Sequence, residues 1–216
     1  MNDNKKIVLI RREVKKIFEN ASGSHDWEHT KRVYNNCLLI NKKENANIVV
    51  LKLSALLHDI GREEQEKSRG KLCHAEIGAK LALIILKKHG FDDNIIKEII
   101  HCIRTHRFWK KNLPKSLEAK ILYDADKLDA IGAIGIARAM HFAGEHGAKI
   151  HNHKHKNIYE TNPLSKDDTA YREFKIKLCK VKEKMLTIEG KKIAEHRHKF
   201  MEAFFEELNK EAEGKI

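Results

Sequence analysis

Ile7, Ile10, Val14, Ile17 and Phe18 recur three and four residues apart, the spacing of one helical face. Gly23-Ser24 ends that pattern, and a second helix follows over about 27–43, with His29, Val33, Cys37 and Ile40 on or near one face. A third helix runs from about Asn47, a suitable N-cap, to Asp59, and Gly61 stops it. Residues 62–71 read as a charged loop. Helices are expected over about 73–89, where Gly90 stops the pattern, over 92–104 and, after Pro114, over 116–140. Residues 144–162 are irregular and rich in His and Lys. Ser165-x-x-Asp168 then has the form of a capping box opening a seventh helix, and a last helix covers about 191–210. No segment alternates with the period of a half-buried strand, so the pattern predicts an all-α chain. Neither an internal repeat nor a linker interrupts it.

The third helix holds the first sign of chemistry. Val49-Val-Leu-Lys-Leu-Ser-Ala-Leu-Leu is a buried-helix pattern that ends in His58-Asp59. Burying an imidazole and a carboxylate unpaired costs on the order of several kcal/mol, and a bound metal ion removes that cost. Adjacent residues cannot share one helical face, but at a helix C-terminus they can fan around one ion. In chain order the ligand candidates are His29, His58, Asp59, His74, His106 and Asp126. Imidazole nitrogen with carboxylate oxygen suits manganese, iron, zinc, nickel or cobalt.

Length and composition narrow the class. With 216 residues the chain suits one domain with a sizeable core. No apolar run reaches membrane-spanning length and no basic-then-apolar leader opens the chain, so a cytoplasmic protein without membrane contact is expected. Cys37, Cys73, Cys102 and Cys179 form no C-x-x-C pair, which fits reduced thiols rather than a thiolate zinc site. The net charge of +12 is dispersed along the chain, without a basic stripe or an aromatic platform. It therefore argues against specific nucleic-acid binding and weakly for a small anionic substrate.

The ordered set of motifs resembles the HD-domain superfamily of metal-dependent phosphohydrolases. It comprises His29 in His25-Asp-Trp-Glu-His29, the pair in His58-Asp59-Ile-Gly61 and Asp126 in Asp124-Ala-Asp126-Lys-Leu-Asp129. His74-Ala-Glu-Ile-Gly78 and Arg104-Thr-His106-Arg107 extend it. The C-terminal part, from Thr169-Ala-Tyr-Arg-Glu-Phe174 to Ala194-Glu-His-Arg197-His198, is similar to a narrower YedJ/YpgQ-like branch.

The resemblance implies an all-α HD-domain helical bundle with a C-terminal helical extension. Its core would lie at about 20–140, a His-rich loop at about 141–165 and the last helices at about 166–213. It implies one or two divalent transition-metal ions held by His29, His58, Asp59 and Asp126, with His74 and His106 either binding a second ion or contacting phosphate. The implied activity is hydrolysis of nucleotides, foremost removal of pyrophosphate from (deoxy)nucleoside triphosphates. A 5′-nucleotidase, a phosphodiesterase or a di-iron oxygenase of the same fold, and a non-catalytic nucleotide sensor, are the rivals. A homodimer is compatible with this reading.

Divalent ions would activate water and polarise a phosphoryl oxygen, with Arg62, Arg107 and Lys127 stabilising the spreading charge. Asp59, Glu63 and Lys127 are the catalytic candidates. Several family members carry an acid where this chain has Arg62, and Glu63 is the substitute for orienting water. His25 competes with His29, but the Asp-Trp-x-His spacing matches the family at His29. His101 falls at a different spacing and reads as structural. His146, His151, His153 and His155, set among Gly and Lys, suggest a mobile flap rather than a metal site. Asp124 reads as a surface or helix-terminal carboxylate, and Asp129 as support for a ligand or for Lys127.

Overall fold

The structure, a computed structural model, describes residues 2–19, 26–107, 112–152 and 157–215. Gly23, Ser24, His25, His153 and His155 lie outside these. The described residues are all-α, without a β-strand: α1 (Asp3–Ile17), α2 (Trp27–Glu44), α3 (Ile48–Leu57), α4 (Arg62–Lys67), α5 (His74–Lys88), α6 (Asp93–Thr105), α7 (Leu117–Leu128), α8 (Gly132–Glu145), α9 (Ala170–Ile176) and α10 (Ile188–Ala212). No described helix is long and apolar enough to cross a membrane. The chain divides into two compact units, one of residues 1–126 with 186–189, the other of 127–185 with 190–216.

In the first unit α3 is the axis. Its residues Val50, Leu51, Leu53, Ser54, Ala55, Leu56 and Leu57 are all buried, as expected of a helix that is apolar around its whole circumference. Helices α1, α2, α5 and α6 pack against it. Helices α2, α3 and α6 open on polar N-caps, of which Asn47 was expected. Asp26 accepts from His29 N at 2.8 Å, Asn47 from Val49 N and Val50 N, and Asp92 from Asn94 N.

Two expectations change here. The charged stretch after Gly61 is not all loop, since residues 62–67 form α4. Asp124 is not a surface carboxylate but fully buried, accepting from Leu186 N, Thr187 N and Thr187 Oγ1 at 2.8, 2.8 and 2.6 Å. These bonds tie residues 186–187 to α7 across more than sixty positions of sequence. Burial still raises the Asp124 carboxyl above its ordinary value, even though all three donors lower it.

The second unit corrects the long helix expected over 116–140. It is α7 and α8, broken at Gly132, whose φ of +77° is a left-handed conformation. A Cβ there would lie 3.0 Å from Arg197 Cγ, and one at Gly135 only 2.3 Å from the Ala130 carbonyl oxygen. The break between the two helices is possible because both positions are glycine. Helix α9 starts after Thr169, which accepts from Arg172 N, and not at the Ser165 box. Its Phe174 stacks on Phe205 of α10 at 4.8 Å.

The expected mobile flap is tied down over its described residues. Buried Arg172 donates to the Ile158 and Thr161 carbonyls and to Asp168 Oδ1 at 2.9, 2.7 and 2.7 Å. Thr169 Oγ1 donates to Asn152 Oδ1, and His151 Nε2 to Asn209 Oδ1. A guanidinium can serve several carbonyls at once, which is how one side chain orders a loop lacking regular structure.

Candidate metal centre

Six side chains of the first unit meet at helix ends. His29 stands in the first turn of α2, His58 caps the C-terminus of α3 and Asp59 follows it. His74 opens α5, His106 caps α6 and Asp126 lies near the end of α7. Two glycines bring them together. Gly61 sits so close to α5 that a Cβ on it would lie 2.4 Å from the His74 carbonyl oxygen and 2.6 Å from Gly78 N. The glycines closing the motifs His58-Asp59-Ile-Gly61 and His74-Ala-Glu-Ile-Gly78 thus meet each other, and that contact carries Asp59 to His74. On the opposite side, buried Asn36 of α2 donates to the Ala125 carbonyl at 3.1 Å, holding α7 beside the helix that bears His29.

The donor atoms form two groups of three: His29, His58 and Asp126, and Asp59, His74 and His106. In the first, His29 Nε2 lies 3.3 Å from His58 Nε2 and 3.5 Å from Asp126 Oδ1. In the second, His74 Nε2 lies 3.1 Å from His106 Nε2. Asp59 stands between them. Its Oδ2 is 3.6 Å from His29 Nε2 and 3.7 Å from His58 Nε2, while its Oδ1 is 3.4 Å from His74 Nε2 and 3.5 Å from His106 Nε2. All of these residues except Asp126 are almost completely buried.

The imidazole hydrogen bonds test whether a cation fits. His58 Nδ1 faces the Ala55 carbonyl at 2.8 Å, and His106 Nδ1 faces the Ile103 carbonyl at 2.6 Å. A carbonyl only accepts, so both Nδ1 atoms carry the proton and both Nε2 lone pairs point into the site. His74 Nδ1 is 2.8 Å from Gln65 Oε1, which leaves its Nε2 bare as well. Two bare nitrogens 3.1 Å apart repel unless a cation lies between them. Donors about 2.1 Å from a shared ion lie roughly 3.0–3.4 Å from one another; the 3.1, 3.3 and 3.4 Å spacings fall in that range and the rest exceed it by a few tenths of an ångström. Burial lowers His58 to about 4 and His74 to about 2, with Arg62 and Arg107 adding to the effect at His74. These rings are neutral at pH 7, as a ligand must be.

The cationic candidates divide. Arg62 Nε forms an ion pair with Asp59 Oδ2 at 3.0 Å, and Arg107 is half-buried and close enough to act on His74. Lys127 stands in the last turn of α7, half-buried. Glu63 is not gathered with the ligands. Its exposed carboxylate pairs with Lys67 at 2.6 Å. Asp129 accepts from Arg138 Nη1 at 2.8 Å. His101 accepts from Lys115 N, a structural bond. Gln65 escaped notice in the sequence because it lies in a stretch that reads as loop.

Comparison with known proteins comes to the same place. The family described as HD domain matches residues 26–131, which span every candidate ligand. An uncharacterised protein of Bacillus subtilis, YpgQ, is 32% identical over 99% of this chain and 97% of its own. Its crystal structure in complex with ADP superimposes with a TM-score of 0.74 at 31% identity, covering 98% of this chain and 97% of that one. The crystal structure of an HD-superfamily hydrolase from Bacillus thuringiensis gives 0.77 at 31% identity, covering 98% and 99%.

Proposed function

The chain belongs to the HD domain family, and from that we propose that it is a metal-dependent phosphohydrolase that removes pyrophosphate from nucleoside or deoxynucleoside triphosphates. The observation that carries the reading is Asp59 set between two pairs of imidazole nitrogens. His29, His58, Asp59 and Asp126 would hold one divalent ion, and His74 and His106 a second through the other oxygen of Asp59. When bound, such ions activate water and polarise a phosphoryl oxygen. The nucleotide part of the reading is supported by the ADP held by the related YpgQ. It is supported also by the guanidinium groups of Arg62 and Arg107 on the His74 side. A guanidinium presents a planar fork of donors that matches phosphate oxygens. Lys127, next in sequence to Asp126, is assigned the same charge-stabilising role, so its loss should impair turnover more than metal retention. Glu63, engaged with Lys67, receives no role.

A second reading, a di-iron oxygenase of this fold, is favoured by the same two groups of three donors. Iron content and an oxygen requirement distinguish it.

The test is product release from nucleoside mono-, di- and triphosphates, with manganese, cobalt, nickel or magnesium added to metal-stripped protein. Monophosphate plus pyrophosphate from triphosphates is the expected result. Free phosphate from monophosphates would make the protein a nucleotidase instead. His58→Ala and Asp126→Ala should abolish metal retention and activity while helical content stays native, and unchanged turnover in either rejects the ligand assignment.

A further inference from the structure

Gln65 belongs to none of the motifs, yet its amide oxygen meets two groups of the site. Gln65 Oε1 is 2.8 Å from His74 Nδ1 and 3.4 Å from Arg62 Nη1. A guanidinium can only donate, so the amide atom it approaches is the oxygen. That oxygen can only accept, so the proton of neutral His74 lies on Nδ1 and the lone pair of Nε2 turns toward Asp59 Oδ1 and His106 Nε2.

The two other members of this group rely on backbone or charge. His106 is oriented by a main-chain carbonyl of its own helix, and Asp59 by the Arg62 ion pair. His74, the first residue of α5, has no preceding helical turn to offer a carbonyl. Its orientation comes from a side chain on α4, a six-residue helix that leans on α5. The same oxygen steadies the outer end of Arg62, whose Nε faces Asp59.

We infer that Gln65 is the positioning residue of the Asp59–His74–His106 group. It fixes the His74 tautomer and couples that ring to Arg62, the cation proposed to meet substrate phosphate. The metal and phosphate parts rest on the function proposed above, whereas the tautomer part does not. Removing an acceptor of this kind behind a metal-bound imidazole typically weakens metal affinity by about 10- to 100-fold.

The experiment uses the full chain, wild type and as Gln65→Leu and Gln65→Glu. Long-range ¹⁵N–¹H spectra of the imidazole rings in metal-stripped protein read the tautomer, with His74→Asn assigning the resonance. Mn²⁺ titration calorimetry reads affinity. The expected result is that Gln65→Leu loses the single Nδ1–H form of His74 while His58 and His106 keep theirs, and that Mn²⁺ binding at the His74 group weakens about 10- to 100-fold. Gln65→Glu, which keeps an acceptor in place, should restore both. His74 holding one Nδ1–H tautomer in Gln65→Leu would overturn the inference, as would a Gln65→Glu variant no better than the leucine. Should wild type bind no Mn²⁺ while the tautomer still follows Gln65, the metal reading fails and the tautomer assignment stands.

Discussion

Replacing Gly61 by Ala tests the architecture beneath the metal centre most directly. The new Cβ would lie 2.4 Å from the His74 carbonyl oxygen and 2.6 Å from Gly78 N, about 1 Å inside ordinary contact. Both obstacles are backbone, so no rotamer change relieves them, and the end of α3 must move from the start of α5. Overpacking of this kind costs roughly 1–3 kcal/mol, and rigid neighbours place it near the upper end. For a chain of this length that corresponds to a fall in Tm of about 6–12 °C. The same displacement would carry Asp59 Oδ1 away from His74 Nε2, now 3.4 Å apart. Metal–ligand distances tolerate only about 0.2 Å, so metal binding that needs Asp59 together with His74 and His106 should weaken sharply. Gly78→Ala is the control. Its Cβ would meet the His58 carbonyl oxygen at 3.4 Å, an ordinary contact, and a helix-interior glycine gains about 0.5–1 kcal/mol on becoming alanine. Thermal melting followed by circular dichroism, with metal counted after desalting, checks both. A Gly61→Ala protein with wild-type Tm and full metal content, or two variants that fall together, would refute the close-approach argument.

Two further outcomes follow from buried groups. Asp124→Ala strands three donors, of which the two of Thr187 are buried, so urea denaturation should show a loss of about 3 kcal/mol, with Thr187→Val costing about 1–2; an unchanged midpoint in Asp124→Ala would reject the tie between residues 186–187 and α7. Burial pushes the Cys102 thiol from 9.0 up to about 12. The folded state therefore holds that proton more tightly than the unfolded chain, and its contribution is full below pH 9 and is lost as pH rises toward 12. At about 1.4 kcal/mol per pH unit the loss is on the order of 4 kcal/mol. Cys102→Ala should flatten the alkaline limb of stability against pH, and curves that stay parallel to wild type would contradict this.

The sequence by itself determined the helical class, the Asn47 N-cap and the ligand candidates. Aliphatic spacing is a local property, and Asp26, Asn47 and Asp92 cap their own helices through bonds spanning two or three residues. His58-Asp59 was legible because two polar side chains ended a run that could only be buried. Everything that depends on distant residues had to wait for the tertiary structure. Asp124 and Asp126 look equivalent in sequence; one is satisfied by Leu186 and Thr187, the other turns to His29. Glu63 and Gln65 lie two residues apart on α4, yet the first faces Lys67 at the surface and the second reaches His74. Gly132 and Gly135 stand in the chain, but their consequence, a break that ends α7 and starts α8, depends on Ala130 and Arg197 lying where a Cβ would go. Periodicity reports which face of a helix is apolar. It carries no information on what another helix brings to that face, and the division of six donor side chains into two groups about Asp59 is a fact of that second kind.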